Sequence, residues 1–416
     1  MIVLSVHNFY RQPGGEDEVF RQEAQLLEKN GHQVVRYEAH NDDIPNRGSI
    51  AMLAQTVFNQ RAYHRLRALL RSSKPDIVHV HNTFPLVSPA VYYAAVAEGI
   101  PVVQTLHNYR LLCPSAVLYR NNSVCEKCTH ARSSWPAIQH ACYRQSRPAS
   151  AAAAAMLTVH RMAGTFRKHV TTYIALSEFA RGKFIQGGFP PEKVVVKPNF
   201  IEPDPGRGPG LGNYCIFVGR LVPEKGILTM LDAWTRFSPP LDLEIAGDGD
   251  LANEVAAAAE RCPRIRWLGR LPKAQLYDRM KNATALLLPS LWYEPFGLVV
   301  VEAFAMGLPV IASRIGALAA LVEHGRTGFH VEPQNPSDLA AQVSQLHANS
   351  RVSRAMRIEA RREFERWYTG DRNYSLLMDI YLATIERYKS LPAQSGVVAP
   401  QAEEIKTLVQ IAGKSS

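Results

Sequence analysis

Two glutamates carry the first chemical signal in this 416-residue chain: Glu294 and Glu302, within ALLLPSLWYEPFGLVVVEA at 285–303. An ionised carboxylate only accepts hydrogen bonds, so such a pair suits two sets of hydroxyl donors. The apolar run at 285–288 ends in Pro289-Ser290, and Pro295 and Gly297 introduce a second apolar segment. The pattern predicts strand, loop and helix start, which aims backbone N–H groups and the positive end of a helix at an anion.

A second cluster is built the same way. Gly219-Arg220-Leu221-Val222-Pro223-Glu224-Lys225-Gly226 follows an apolar run at 214–218 and opens a helical pattern at 227–235. Arg offers a planar fork and Lys a point charge; beside a helix N-terminus the two make a pyrophosphate site. Gly247-Asp248-Gly249 ends the next apolar run at 242–246, where glycine lets a ligand approach the backbone. A ligand with phosphates at one point and hydroxyls on both sides meets all of these demands. That is the chemistry of a nucleotide sugar.

Such loops need parallel strands to hold them. Near the amino terminus, an apolar run at 2–6, a Pro13-Gly14-Gly15 loop, a helical pattern at 16–30 closed by Gly31, and a strand pattern at 33–37 make a β-loop-α-β unit. Strand patterns at 77–80, 101–105, 173–176 and 193–196, with a helix at 89–98, continue it. A Pro- and Gly-rich linker at 203–210 precedes a second series, with strands at 214–218, 242–246, 265–268, 285–288 and 308–312. Alternation of strands and helices predicts an α/β fold of two Rossmann-like doubly wound domains facing across a cleft. The boundaries expected are 1–200, with an insertion at about 110–145; 201–371; a carboxy-terminal helix at 372–391, able to pack back on the first domain; and a flexible tail at 392–416.

The net charge of +10 lies wholly in the first half: residues 1–200 hold 23 Lys+Arg against 13 Asp+Glu, and residues 201–416 hold 24 of each. Its densest piece is Arg61, Arg65, Arg67, Arg71 and Lys74 with Leu66, Leu69 and Leu70 between them. This basic amphipathic pattern suits an anionic membrane surface, and equally a solvated helix face. No nucleic-acid motif accompanies the charge. No apolar run reaches the roughly 18 residues of a membrane span, and the first residues lack the marks of a signal peptide. The expected location is cytoplasmic, peripheral to the inner face of the membrane.

Together these motifs resemble glycosyltransferase family 4, the retaining nucleotide-sugar transferases of GT-B fold. The likeness extends from the amino-terminal strand to about residue 340, and includes MGLPVIA at 306–312 and GRTG at 325–328. It implies that Arg220 and Lys225 bind the donor diphosphate and stabilise the departing nucleotide, with Gly219, Gly247, Asp248 and Gly249 lining the donor site. Glu294 would hold sugar hydroxyls, the backbone of Phe296, Gly297 and Leu298 would meet sugar and phosphate, and Glu302 would accept from the ribose. Gly14 and Gly15 would close over the diphosphate, and His107 would reach the donor sugar. In this scheme catalysis needs no metal, because cationic side chains and helix N-termini supply the positive charge. Two departures stand out: Asn108, where many relatives have aspartate, and GALAA at 316–320, where many have a second glycine and a glutamate.

Cys113, Cys125, Cys128 and Cys142 fall within thirty residues, one pair with the C-x₂-C spacing of a zinc or iron–sulfur knuckle. They are read either as a structural metal site ordering the insertion or as reduced thiols. A branch of family 4 acting in bacterial surface polysaccharide synthesis has a similar His-Asn-Tyr-Arg segment followed by cysteines. The expected function is transfer of a hexose from a nucleoside-diphosphate sugar to a glycan or lipid-linked acceptor. The alternatives are a nucleotide-sugar 2-epimerase, a phosphorylase of the same fold, or an inactive nucleotide-sugar-binding protein.

Overall fold

The computed structural model describes residues 1–12, 14–44, 50–130 and 133–390. Pro13 of the first glycine loop, residues 131–132 of the insertion and the tail at 392–416 lie outside the described residues. The strands are β1 (Ile2–Phe9), β2 (Gln33–His40), β3 (Ile77–Val80), β4 (Val102–Leu106), β5 (Tyr119–Arg120), β6 (Ser123–Val124), β7 (Thr172–Ala175), β8 (Val194–Val196), β9 (Tyr214–Val218), β10 (Asp242–Ala246), β11 (Ile265–Gly269), β12 (Ala285–Leu288), β13 (Val310–Ser313) and β14 (Gly328–Val331).

The chain divides into two compact units. One holds residues 1–118 and 126–197 with the carboxy-terminal helix from Tyr374 onward; the other holds 119–125 and 198–373. The short ribbon β5–β6 thus groups with the second unit, although its sequence lies inside the first domain's insertion. There Gln334 donates through Nε2 to the Asn122 carbonyl at 2.8 Å.

The first unit is built on a six-stranded sheet of order β2-β1-β3-β4-β7-β8, every pair parallel. Central strands of such a sheet are covered on both faces and read as unbroken apolar runs. β3, β4 and β7 are buried at every position, whereas the edge strand β2 alternates. The helix Gly15–Lys29 buries Val19, Phe20, Ala24, Leu26 and Leu27, and its acidic first turn suits the positive helix end. The helix Gly370–Ser390 completes the core: Leu377 and Tyr381 pack with Val3, Leu27, Ile77, Val103 and Ile174.

The basic helix Gln60–Ser73 spends its apolar face inside the unit, with Ala62, Tyr63, Leu66 and Leu70 buried. Arg67 and Arg71 pair with Glu98 at 2.6 and 3.0 Å, leaving the exposed Arg61, Arg65 and Lys74 as its outward charge. Among the described residues no helix is long and apolar enough to cross a membrane.

The second unit repeats the plan with the order β11-β10-β9-β12-β13-β14, again parallel throughout. In each sheet the strand order reverses beside the first strand of the unit: between β1 and β3 in one, between β9 and β12 in the other. Loops at the carboxyl ends of those strands flank a crevice where open α/β sheets bind ligands.

Candidate active site

In the second unit, both glutamate- and lysine-bearing loops leave the sheet at the point of reversal. The loop after β9 carries Gly219 to Gly226, and the loop after β12 carries Pro289 to Gly297. They are stitched together by Leu291 N–H donating to the Glu224 carbonyl at 2.8 Å. Gly226, with φ of 72°, seals the contact, since a Cβ there would stand 1.9 Å from the Pro289 carbonyl oxygen. This approach brings Lys225 Nζ to within 2.5 Å of Glu294 Oε1, and Ser290 Oγ donates to the same oxygen at 2.9 Å. Glu294 is buried and Lys225 half-buried, and the ammonium also lies 5.5 Å from the Trp292 ring centroid. The pair is one acceptor and one donor set in a partly dry site, where each interaction with a ligand is stronger than in water.

The other predicted residues of this unit lie on the same two loops, on the loop after β10 and on the helix that follows β12. Arg220 is exposed just beyond β9. Gly247 packs so closely on that turn that a Cβ would meet the Gly219 carbonyl oxygen at 1.8 Å, so only glycine holds the two strand ends together. Asp248 is turned onto its own loop, accepting from Gly249 N–H at 2.8 Å, with Arg270 3.6 Å away. Gly297 leads into the helix Leu298–Ala305. Phe296 is buried, its ring 6.1 Å from that of Tyr368, so it anchors the turn. Glu302, on that helix, accepts from Tyr277 Oη at 3.0 Å. The GALAA segment backs the site: Ala317 N–H donates to the Glu294 carbonyl at 3.3 Å, and Gly316 lies against the Tyr293 backbone. Sequence patterning alone does not point to Ser290, Trp292 and Tyr277. Only Ser290 carried a local signal, a hydroxyl four positions before Glu294 in a loop that follows a strand.

In the first unit the corresponding edge is polar and buried. Gly14 N–H donates to Asp17 Oδ2 at 2.7 Å, and Asp17 Oδ1 meets His7 Nε2 at 2.7 Å, so the glycine turn that begins the helix at Gly15 is tied to β1. Asn108 Nδ2 donates to Glu16 Oε2 at 3.0 Å, and Asn82 Nδ2 to Glu16 Oε1 at 3.3 Å. His107 Nε2 lies 3.0 Å from His81 Nδ1. His79 uses both ring nitrogens, with Tyr381 Oη at 2.7 Å and Thr105 Oγ1 at 2.8 Å. Burial, chiefly, holds the imidazoles neutral: His79 is lowered to about 4, and His81 and His107 fall well below the ordinary histidine range, with neighbouring imidazoles adding to the effect.

The six cysteines are free thiols; Cys113 and Cys128 are buried, Cys125 and Cys142 half-buried. Among the described residues Cys113, Cys128 and Cys142, which share the first unit, do not form a three-ligand group. The group whose ligand atoms all lie within 4.8 Å of one another is instead Glu23, His79 and His81. Lys197 Nζ sits 2.6 Å from Glu23 Oε1, however, and an ammonium on the same carboxylate opposes a dication there.

A family model described as Glycosyltransferase Family 4 matches residues 13–205, and one described as Glycosyl transferases group 1 matches residues 206–363. The chain belongs to glycosyltransferase family 4. It is 29% identical over 310 residues to a glycogen synthase of Mycobacterium tuberculosis, covering 72% of this chain and 67% of that one. It is 25% identical over 398 residues to a phosphatidyl-myo-inositol mannosyltransferase of Mycobacterium leprae, covering 89% and 93%. Among solved structures, HepE of Anabaena in complex with UDP-glucose superposes with a TM-score of 0.64 at 18% identity, covering 92% of the transferase and all of that chain. The transferase therefore has the GT-B fold, two parallel-sheet α/β domains, and it is a glycosyltransferase.

Proposed function

We propose that this transferase moves a hexose from a nucleoside-diphosphate sugar to a glycan or lipid-linked acceptor, with retention of configuration, in bacterial surface polysaccharide synthesis. The observation that carries the donor half is the Lys225–Glu294 pair, joined by Ser290, at the reversal point of the second sheet. The solved complex of HepE with UDP-glucose supports a nucleotide-sugar donor. Lys225 and Arg220 would neutralise the diphosphate as the bond from the anomeric carbon to the phosphate oxygen breaks. Glu294 would accept from sugar hydroxyls, and Glu302, held by Tyr277, would accept from the ribose. The acceptor hydroxyl forms the new bond to the anomeric carbon, and its proton passes to the departing phosphate. His107 and the Gly14-Gly15 turn are assigned to the same reaction on the family resemblance. Attraction to an anionic membrane rests on charge alone, from Arg61, Arg65 and Lys74, because the apolar face of their helix is already buried.

The test is sugar transfer from a panel of nucleotide sugars, followed by product analysis. Glu294→Ala and Lys225→Ala are each expected to fall below about 1% of wild-type turnover, the scale of losing a charge-stabilising group in a reaction centre. Circular dichroism should stay that of the folded protein in both; melting should hold in Glu294→Ala, because Lys225 is half-buried and its ammonium can reach water, and should fall in Lys225→Ala, which leaves the buried Glu294 carboxylate without its cation. Wild-type-like turnover in either variant overturns the site assignment.

A further inference from the structure

Beneath the carboxyl edge of the first sheet a line of three side chains that the proposed reaction leaves unused leads to His107. Lys197, fully buried, donates to Glu23 Oε1 at 2.6 Å. Glu23 Oε2 faces His81 Nε2 at 3.5 Å and His79 Nδ1 at 3.7 Å; Glu23 Oε2 and His81 Nε2 are both buried, and neither meets a nearer hydrogen-bond partner. The other nitrogen of His81, Nδ1, meets His107 Nε2 at 3.0 Å. Their sequence positions, 23, 81, 107 and 197, place one on a helix and the others at or just beyond three strand ends.

These groups admit one consistent set of protons. Paired with the Lys197 ammonium, Glu23 is a carboxylate, and a carboxylate only accepts. The His81 nitrogen that faces it therefore bears a proton, since a bare lone pair would oppose an anion in a buried site of low dielectric. His81 is a neutral imidazole with one N–H, so its Nδ1 is bare and accepts. The donor at that contact is then His107 Nε2–H. His107 is neutral as well, which leaves its Nδ1 without a proton.

We propose that Lys197, Glu23 and His81 are positioning residues that fix His107 in its Nε2–H tautomer, so that Nδ1 is held as a hydrogen-bond acceptor for a hydroxyl of the bound sugar. The sugar hydroxyl rests on the transferase reading above; the tautomer stands on the geometry of this unit. The relay is also a device for specificity. A bare nitrogen welcomes a hydroxyl and repels a group that can only accept, such as a phosphate oxygen, whereas the opposite tautomer would do the reverse.

Long-range ¹H–¹⁵N spectra of the full chain with ¹⁵N-labelled histidine distinguish protonated from bare ring nitrogens, and His107→Ala assigns the resonance. The expected spectrum shows His107 protonated at Nε2 and bare at Nδ1. A proton on Nδ1 overturns the relay, and because the spectrum is that of the wild-type chain this measurement decides even where the His81 variants fail to fold. His81→Leu removes the acceptor and should mix the two tautomers while lowering kcat by about threefold to tenfold, the kinetic weight of one neutral hydrogen bond. His81→Asn offers an amide oxygen near the same point and should recover the wild-type signature and most of the lost kcat. A His81→Leu protein with the wild-type signature and kcat overturns the positioning role. Undiminished transfer by His107→Ala, with the wild-type spectrum as expected, removes the sugar contact and leaves the tautomer assignment intact.

Discussion

At the scale of single residues, Asn108 shows how one departure from the family pattern is matched by its neighbours. Its Nδ2 donates to Glu16, and its Oδ1 accepts from Arg110 N–H at 2.9 Å. An aspartate would keep the second bond but set its carboxylate against that of Glu16 with no proton between them. N108D is expected to cost about 1–3 kcal/mol, read from the urea midpoint. Adding E16Q should recover most of that loss, because an amide can donate where the carboxylate cannot. Equal midpoints for wild type and N108D would remove this account of the asparagine. Lys225, Glu294 and Glu302 were legible in the sequence because each sits in or just past a loop whose flanking apolar runs mark it as a strand end. Glu23 and Lys197 were not, since 174 positions separate them and nothing local to either announces the other. A charged residue on the otherwise apolar face formed by Phe20, Ala24 and Leu27 was the available clue.

At the scale of elements, close backbone approach does the positioning. Gly226→Ala would drive a Cβ into the Pro289 carbonyl in a backbone conformation that side chains rarely adopt, at a cost of about 1–3 kcal/mol. The same shift should part Lys225 from Glu294 and lower transfer. Gly182 gives the contrast: it lies within the helix Glu178–Gln186 with nothing within 4 Å of an added Cβ. Gly182→Ala is expected to raise stability by roughly 0.5–1 kcal/mol and leave transfer as it was. A G226A protein as stable and active as wild type would show that the loops after β9 and β12 tolerate separation. The parallel strands were readable as apolar runs because they are buried on both faces. The basic helix was harder: its amphipathic pattern is the same whether its apolar face meets lipid or protein, and only packing shows that protein took it. The cysteine spacing was ambiguous for a similar reason, since C-x₂-C fixes a local turn and not where distant thiols go.

At the scale of the molecule, acid should strike the first unit first. Burial lowers His79, His160 and His169 to about 4 from an ordinary 6.5, and it holds His81 and His107 well below the ordinary histidine range. The unfolded chain binds more protons than the folded one across that interval, so stability rises with pH there. The contribution is whole above about pH 6.5 and is lost as pH falls toward 4. Melting temperature should decline through this window, and hydrogen exchange should accelerate first in the strands of residues 1–197. A melting curve flat from pH 7 to 4.5 would contradict the neutral, buried imidazoles.

The carboxy-terminal helix has a consequence for how the protein is made. Leu377 and Tyr381 fill the core of a sheet drawn from the first 197 residues, and Tyr381 meets His79 across 302 positions of chain. On the ribosome, that sheet waits for the helix that completes its core until residues beyond 381 have emerged. Residues 198–373 are complete sooner, apart from the small ribbon at 119–125 that is already waiting. Synthesis order and assembly order are therefore inverted: the unit begun first is finished last. Through that interval the half-built apolar surface around Val3, Ile77 and Ile174 is what a chaperone would have to cover.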